Sequence, residues 1–194
     1  MVERIIICGN IAGCGKTTAA NYLVSQYGFK ESFFAEGVYD IAKKYLNMQE
    51  KNRKMLIDIG QKMREIDPEV WIKYTFSQAN NNRLSVISDC RQENEYFQGV
   101  MNGYLPIRIA ANRENAIKRI IKRDGYCDES LLDTEGEIGT RHIPMINIYN
   151  NDKPDVMYKD LDNLVKNFQT EPYMEHLKVS VKHAIEMGEM RSRL

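Results

Sequence analysis

Arg4-Ile5-Ile6-Ile7-Cys8 runs directly into Gly9-Asn10-Ile11-Ala12-Gly13-Cys14-Gly15-Lys16-Thr17-Thr18. An apolar run of strand length is followed by a glycine loop that ends in Gly-Lys-Thr and opens a helix. A buried strand feeding such a loop makes a phosphate cradle. Glycines let successive backbone N–H groups turn inward, and the helix N-terminus adds its partial positive charge. Asn10, Ala12, Gly13, Cys14, Gly15, Lys16, Thr17 and Thr18 are therefore expected around a ligand's phosphates. Lys16 has the reach for the β/γ-phosphates, and the Thr17 hydroxyl is placed to ligate Mg²⁺. The spacing departs from the standard pattern at one point, because Asn10 stands where its first glycine belongs and Gly9 comes one residue early. Either the loop carries an extra residue or Asn10 takes the turn, and Asn is the non-glycine residue that best tolerates positive φ.

Outward from the loop, the 194-residue chain has the length of one domain with a sizeable core. Its 27 basic and 27 acidic residues cancel, which argues against broad attachment to nucleic acid or to a membrane surface. No apolar run approaches a membrane span, and the strand begins too early to leave room for a signal peptide. The four cysteines (Cys8, Cys14, Cys90, Cys127) have no metal-ligand spacing. The expectation is a cytoplasmic protein with reduced thiols, in which Cys14, inside the loop, is open to oxidation.

Patterning predicts a helix over 16–27 stopped by Gly28, a short strand over 32–35, and helices over 38–46 and 53–66. Asp67-Pro68 reads as the N-cap and first position of the next helix. A strand over 84–88 delivers Asp89 at its end, a helix over 92–101 follows, and Leu105–Ala110 makes a fourth strand. Then come a basic helix over 113–124, a glycine-bearing acidic stretch, a fifth strand over 144–149 and a helix over 160–168. Beyond Pro172, Met174, Leu177, Val181 and Ile185 share one face of a last helix. Strands alternating with helices predict a three-layer α/β P-loop NTPase fold, its five-stranded parallel sheet covered on both faces. A domain over 1–170 would carry a lid at about 124–142, with 171–194 a helix packed on it.

In such sheets ligands sit beyond the carboxyl ends of the strands, where both the loop and Asp89 fall. Asp89 suits Mg²⁺ binding through water or proton acceptance from an attacking hydroxyl, the alternative being a cap on the helix that follows. Arg91 matches a phosphate oxygen through its planar fork. Arg119 and Arg123 are spaced to share a helix face that would neutralise charge on a moving phosphoryl group; Lys118 and Lys122 read as solvated. The stretch 125–141 has the length of a lid that excludes water, with Arg141 closing on phosphate and Glu135 and Glu137 as weaker candidates. Gln61 and Arg64 lie one turn apart and can face one ligand. Trp71 reads as core rather than a base-stacking platform. The three histidines show no metal or triad partnering.

Two segments carry a resemblance. Gly60-Gln61-Lys62-Met63-Arg64-Glu65-Ile66-Asp67-Pro68-Glu69-Val70-Trp71 and Val86-Ile87-Ser88-Asp89-Cys90-Arg91-Gln92-Glu93-Asn94-Glu95 resemble the Gly…Arg…Asp-Pro-x-x-Trp and Asp-x-Arg-x-x-Asn-Glu segments of phage-type deoxynucleoside monophosphate kinases. Animal phosphomevalonate kinases share the plan. Phe33-Phe34-Ala35-Glu36 and Ile148-Tyr149-Asn150-Asn151 also sit where that family has related pieces, and the likeness extends to about residue 168. It implies a nucleoside-monophosphate-kinase fold with a lid, ATP on the phosphate loop, and an acceptor phosphate held by Arg64 and Arg91. It also implies Asp89 near the metal and Arg119 and Arg123 on the lid helix. The loop opening Gly-Asn-Ile-Ala is instead similar to deoxynucleoside kinases.

The reading is an ATP- and Mg²⁺-dependent kinase acting on a small phosphorylated acceptor, a (deoxy)nucleoside monophosphate, with Gln61, Arg64, Arg91 and Arg141 toward the acceptor. No nucleic-acid or membrane partner is expected. An alcohol acceptor (dephospho-coenzyme A or a deoxynucleoside), phosphomevalonate, or a nucleotide switch acting through a partner stay open.

Overall fold

The computed structural model describes residues 1–129, 132, 139–143 and 145–192. The opening apolar run forms β1 (Arg4–Gly9), and Ile5, Ile6, Ile7 and Cys8 are wholly buried, as a strand covered on both faces requires. Then follow α1 (Lys16–Tyr27), β2 (Lys30–Ser32), α2 (Glu36–Lys44), α3 (Arg53–Ile66), α4 (Val70–Ala79) and β3 (Ser85–Cys90). After these come α5 (Glu93–Met101), β4 (Leu105–Ala110), α6 (Arg113–Asp124), β5 (Ile146–Tyr149), α7 (Pro154–Asn167) and α8 (Thr170–Ser192). Among the described residues the strands form one five-stranded sheet in the order β2-β3-β1-β4-β5, every pairing parallel. This is the expected P-loop NTPase architecture.

Helices flank the sheet. α1 packs on β1, β2 and β3 with α7 beside it, α4 packs on β2 and β3, and α5 packs on β4 and carries α8. α5 comes close: a Cβ on Gly99 would fall 2.7 Å from Ile6 Cδ1. Met174 and Val181 of α8 are buried, so the tail helix packs on the body along its expected face. Among the described residues no helix is long and apolar enough to cross a membrane.

Several local boundaries depart from expectation, three of them with a legible cause. The second strand ends at Ser32 rather than Ala35, because the Phe34 and Ala35 amides turn away to donate to Asp89 (2.8 and 3.1 Å). Asp67 does not cap a helix starting at Pro68. It is the extended C-cap of α3, as a residue before proline prefers, and its carboxylate accepts from Glu69 N at 3.0 Å in a local turn before α4. The helix expected over 160–168 begins at Pro154, whose fixed φ suits the first helical turn. Of the lid over about 124–142, residues 130, 131 and 133–138, with Glu135 and Glu137 among them, lie outside the described residues.

Candidate active site

The phosphate loop leaves β1 between its two neighbours, β3 and β4. Its turns are made by Gly13 (φ 78°) and Gly15 (φ 107°), a backbone region that L side chains rarely adopt. Asn10 is not left-handed, so of the two options the one in which it takes the turn fails. Its carboxamide instead pairs with the backbone of Ala111, donating to the carbonyl at 2.8 Å and accepting from the N–H at 3.0 Å. The position asks for an amide that pins the loop to the end of β4. Lys16 folds back over the loop, so that a Cβ on Gly9 would lie 2.9 Å from its Nζ. Thr17 and Thr18 are exposed on the first turn of α1. Cys14 is buried, which corrects the expectation that it is open to oxidation.

Asp89 sits where the β1–β3 register shifts by one: Ile6 pairs with Ile87, but Cys8 pairs with Cys90. Ser88 and Asp89 thus oppose the single residue Ile7, and such a bulge re-aims a side chain. The Asp89 carboxylate accepts the Phe34 and Ala35 N–H groups at the start of α2. It does not cap α5, whose box is formed by Gln92 and Glu95. Burial outweighs the two donors and the nearby Arg91 and Lys16 charges and raises the Asp89 pKa.

Glu95 is a site residue that sequence reasoning passed over. It is buried, and its Oε2 accepts from Arg91 N (2.8 Å) and Gln92 N (3.1 Å). Burial pushes its pKa up to about 7 against those donors; the Asp89 charge pushes the same way and the Arg64 charge opposes. Glu95 thereby fixes the turn bearing Arg91, while Arg64 on α3 donates to the Gly60 carbonyl at 3.4 Å. Gln61 is exposed beside Gly60, whose carbonyl accepts from Trp71 Nε1 at 3.1 Å. Trp71 is buried, as read.

The basic helix divides. Arg119 donates from Nη2 to the Asn150 carbonyl (2.7 Å) and carboxamide oxygen (3.2 Å), beside the loop. Arg123 is held by both oxygens of Asp124, at 2.7 and 2.6 Å, so the two do not present one cationic face to the loop. Arg141 donates to the Asn10 carbonyl at 3.1 Å, at the phosphate loop rather than at the α3 arginine. Two further residues were missed. Asn150 donates to the Cys14 carbonyl at 2.8 Å. Arg108, buried in β4, ties residues 140 and 143 to the sheet through their carbonyls at 2.6 and 2.8 Å. A charge inside the apolar run Leu105–Ala110 was its available signal.

A family model described as an AAA domain matches residues 5–138. The chain belongs to the AAA domain family. Its AAA domain spans β1 through α6, so the match holds the phosphate loop, Arg64, Asp89, Arg91, Glu95 and Arg119, and leaves Arg141 and Asn150 outside. Solved structures share the fold. TT1252 from Thermus thermophilus is 15% identical with a TM-score of 0.59, covering 87% of this chain and 100% of that one. A sugar kinase from Janibacter sp. HTCC2649 is 14% identical (TM-score 0.54; 90% and 98% covered). A gluconokinase from Sinorhizobium meliloti 1021 is 13% identical (TM-score 0.55; 89% and 96% covered). At these identities the likeness is one of fold. No curated protein sequence matches the chain.

The AAA domain's loop fits a nucleotide polyphosphate: two left-handed glycines and a lysine over the loop stand at a helix N-terminus. Among the described residues no group of three His, Cys, Asp or Glu side chains could hold a metal ion. One hydroxyl (Thr17) and one carboxylate (Asp89) suit Mg²⁺ where phosphate oxygens and water complete its octahedron. A separate apolar cavity of about 530 Å³ between α5 and α8, lined by Tyr96, Met145, Tyr173 and Leu177 among others, contains none of these residues.

Proposed function

We propose that this chain is a kinase that moves the γ-phosphoryl group of ATP onto the phosphate of a small acceptor, a (deoxy)nucleoside monophosphate. The observation that carries the reading is the Glu95 junction. One buried carboxylate holds the Arg91 turn and feels the Arg64 charge, next to Asp89 and the phosphate loop. The Arg91 charge acts on Asp89 and the Arg64 charge on Glu95, and guanidinium groups at that edge would suit a dianionic phosphate. Lys16 and the loop amides would hold the donor phosphates, and Thr17 and Asp89 the Mg²⁺, which supplies charge neutralisation on the transferring group. Arg141 would act at the loop itself and Arg119 through Asn150. A phosphate acceptor is already anionic, so no general base is required. The kinases among the fold relatives and the two resembling segments support this class of reaction.

One observation favours a second reading, in which the acceptor is an alcohol. Asp89 is a carboxylate whose burial raises its pKa beside Lys16, a setting that suits a base for a hydroxyl. Coupled ADP release with ATP·Mg²⁺ over nucleoside monophosphates, nucleosides, dephospho-coenzyme A and phosphomevalonate decides between them. Turnover with a monophosphate, lost in Lys16→Ala, is the expected result. ADP release that no acceptor accelerates would replace the kinase with a nucleotide switch.

A further inference from the structure

We propose that Asn150 is a positioning residue for the donor phosphates: by holding the Cys14 carbonyl it aims the Gly15 N–H into the phosphate loop. The inference rests on the loop being a nucleotide cradle and is independent of the acceptor. Asn150 follows β5, is buried, and is locked by its own N–H, which donates to the Ala110 carbonyl at 2.7 Å. Its Nδ2 donates to the Cys14 carbonyl at 2.8 Å, inside the protein. The Cys14–Gly15 peptide is planar and trans, so its C=O and N–H point in opposite directions. Holding the carbonyl on Asn150, on the protein side of the loop, turns the Gly15 N–H to the opposite side, where the phosphates would bind.

The carboxamide has no choice of orientation. Arg119 is a donor only, and its Nη2 takes the Asn150 Oδ1 at 3.2 Å and the main-chain carbonyl at 2.7 Å. That leaves Nδ2 as the group facing Cys14. Arg119 therefore acts on the loop through Asn150, one bond removed. The fit is also steric: a Cβ on Gly15 would run into Asn150 Nδ2, so the loop glycine and the asparagine require each other.

Asn150→Asp tests this, because aspartate keeps the volume and strengthens the bond to Arg119 but cannot donate to Cys14. Calorimetric titration with inorganic tripolyphosphate·Mg²⁺ and with ADP·Mg²⁺ should show Asn150→Asp and Asn150→Ala weakened about tenfold, the loss of one buried hydrogen bond. The KM for the acceptor should stay unchanged. If Asn150 did not position the loop, the charge-neutral Asn150→Ala would bind tripolyphosphate like the wild type, and that result overturns the inference while leaving the cradle intact. Wild-type protein that fails to bind tripolyphosphate overturns the cradle and the inference together. A second measurement needs no variant: the Gly15 amide proton of the wild type should move downfield on adding tripolyphosphate, and an unmoved Gly15 signal in a protein that binds overturns the proposal.

Discussion

At the scale of single residues, Asp89, Glu95 and the cysteines show that burial sets chemistry as much as identity does. Asp89→Asn separates the two acceptor readings. The variant should lose activity with either acceptor through the weakened Mg²⁺ site, and about a hundredfold more with an alcohol, where a base is also needed. Glu95 makes a pH prediction. Its pKa is raised from 4.5 to about 7. The folded protein therefore keeps a proton that the unfolded chain releases, and stability falls as pH rises between those values. The loss is at most about 3 kcal/mol. Urea unfolding at several pH values should show this slope in the wild type and not in Glu95→Gln; an equal slope in both would remove Glu95 as its source. The cysteines give a third test. Cys8, Cys14 and Cys90 are buried, while Cys127 is half-buried, and burial keeps the Cys90 thiol well above its ordinary pKa. A disulfide reagent should modify Cys127 first and the other three only on unfolding.

At the scale of elements, the helices with strong local signals came out of the sequence with their ends. α1 stops at Gly28, whose N–H returns to the Leu23 and Val24 carbonyls. α6 starts at Asn112, whose side chain accepts from Asn115 N. Those signals act within a few residues and need no partner. β2, the start of α4 and the aim of Asp89 were not legible, because each depends on a contact distant in the chain or on a turn with two solutions. Asp67-Pro68 fits both a helix start and an extended C-cap, and only the packing of α3 against α4 chooses. The tail helix was legible as amphipathic, but its partner α5 was not. Met174→Ala should cost about 2–3 kcal/mol of stability by the usual cost of emptying a buried methionine site. ADP binding should stay intact, since α8 carries none of the candidate residues.

At the scale of the whole molecule, the order β2-β3-β1-β4-β5 does the assembling. It sets the phosphate-loop strand between the strand of Asp89 and the strand whose end receives Asn10, with β5 and Asn150 next beyond. A ligand that binds the folded state stabilises it by mass action. ADP·Mg²⁺ at a hundred times its dissociation constant should add about 2.7 kcal/mol, raising the melting temperature by about 5–10 °C in a chain of this size. Lys16→Ala should abolish that rise; a variant that still shows it would mean that the nucleotide binds elsewhere.

The sequence by itself determined the phosphate loop, the alternation of strands and helices, and the parallel sheet, since glycine freedom, capping and apolar periodicity are local properties. It also marked Arg64, Asp89 and Arg91 as candidates by residue type and spacing. Only the tertiary structure decided that Asn10 serves through its carboxamide rather than its backbone, and that buried Glu95 holds the turn of Arg91. It likewise decided that Arg119 reaches the loop through Asn150 while Arg123 turns to Asp124. The physical reason is the same in each case: a hydrogen bond across the sheet depends on which strands end side by side, and no local pattern in the chain encodes that.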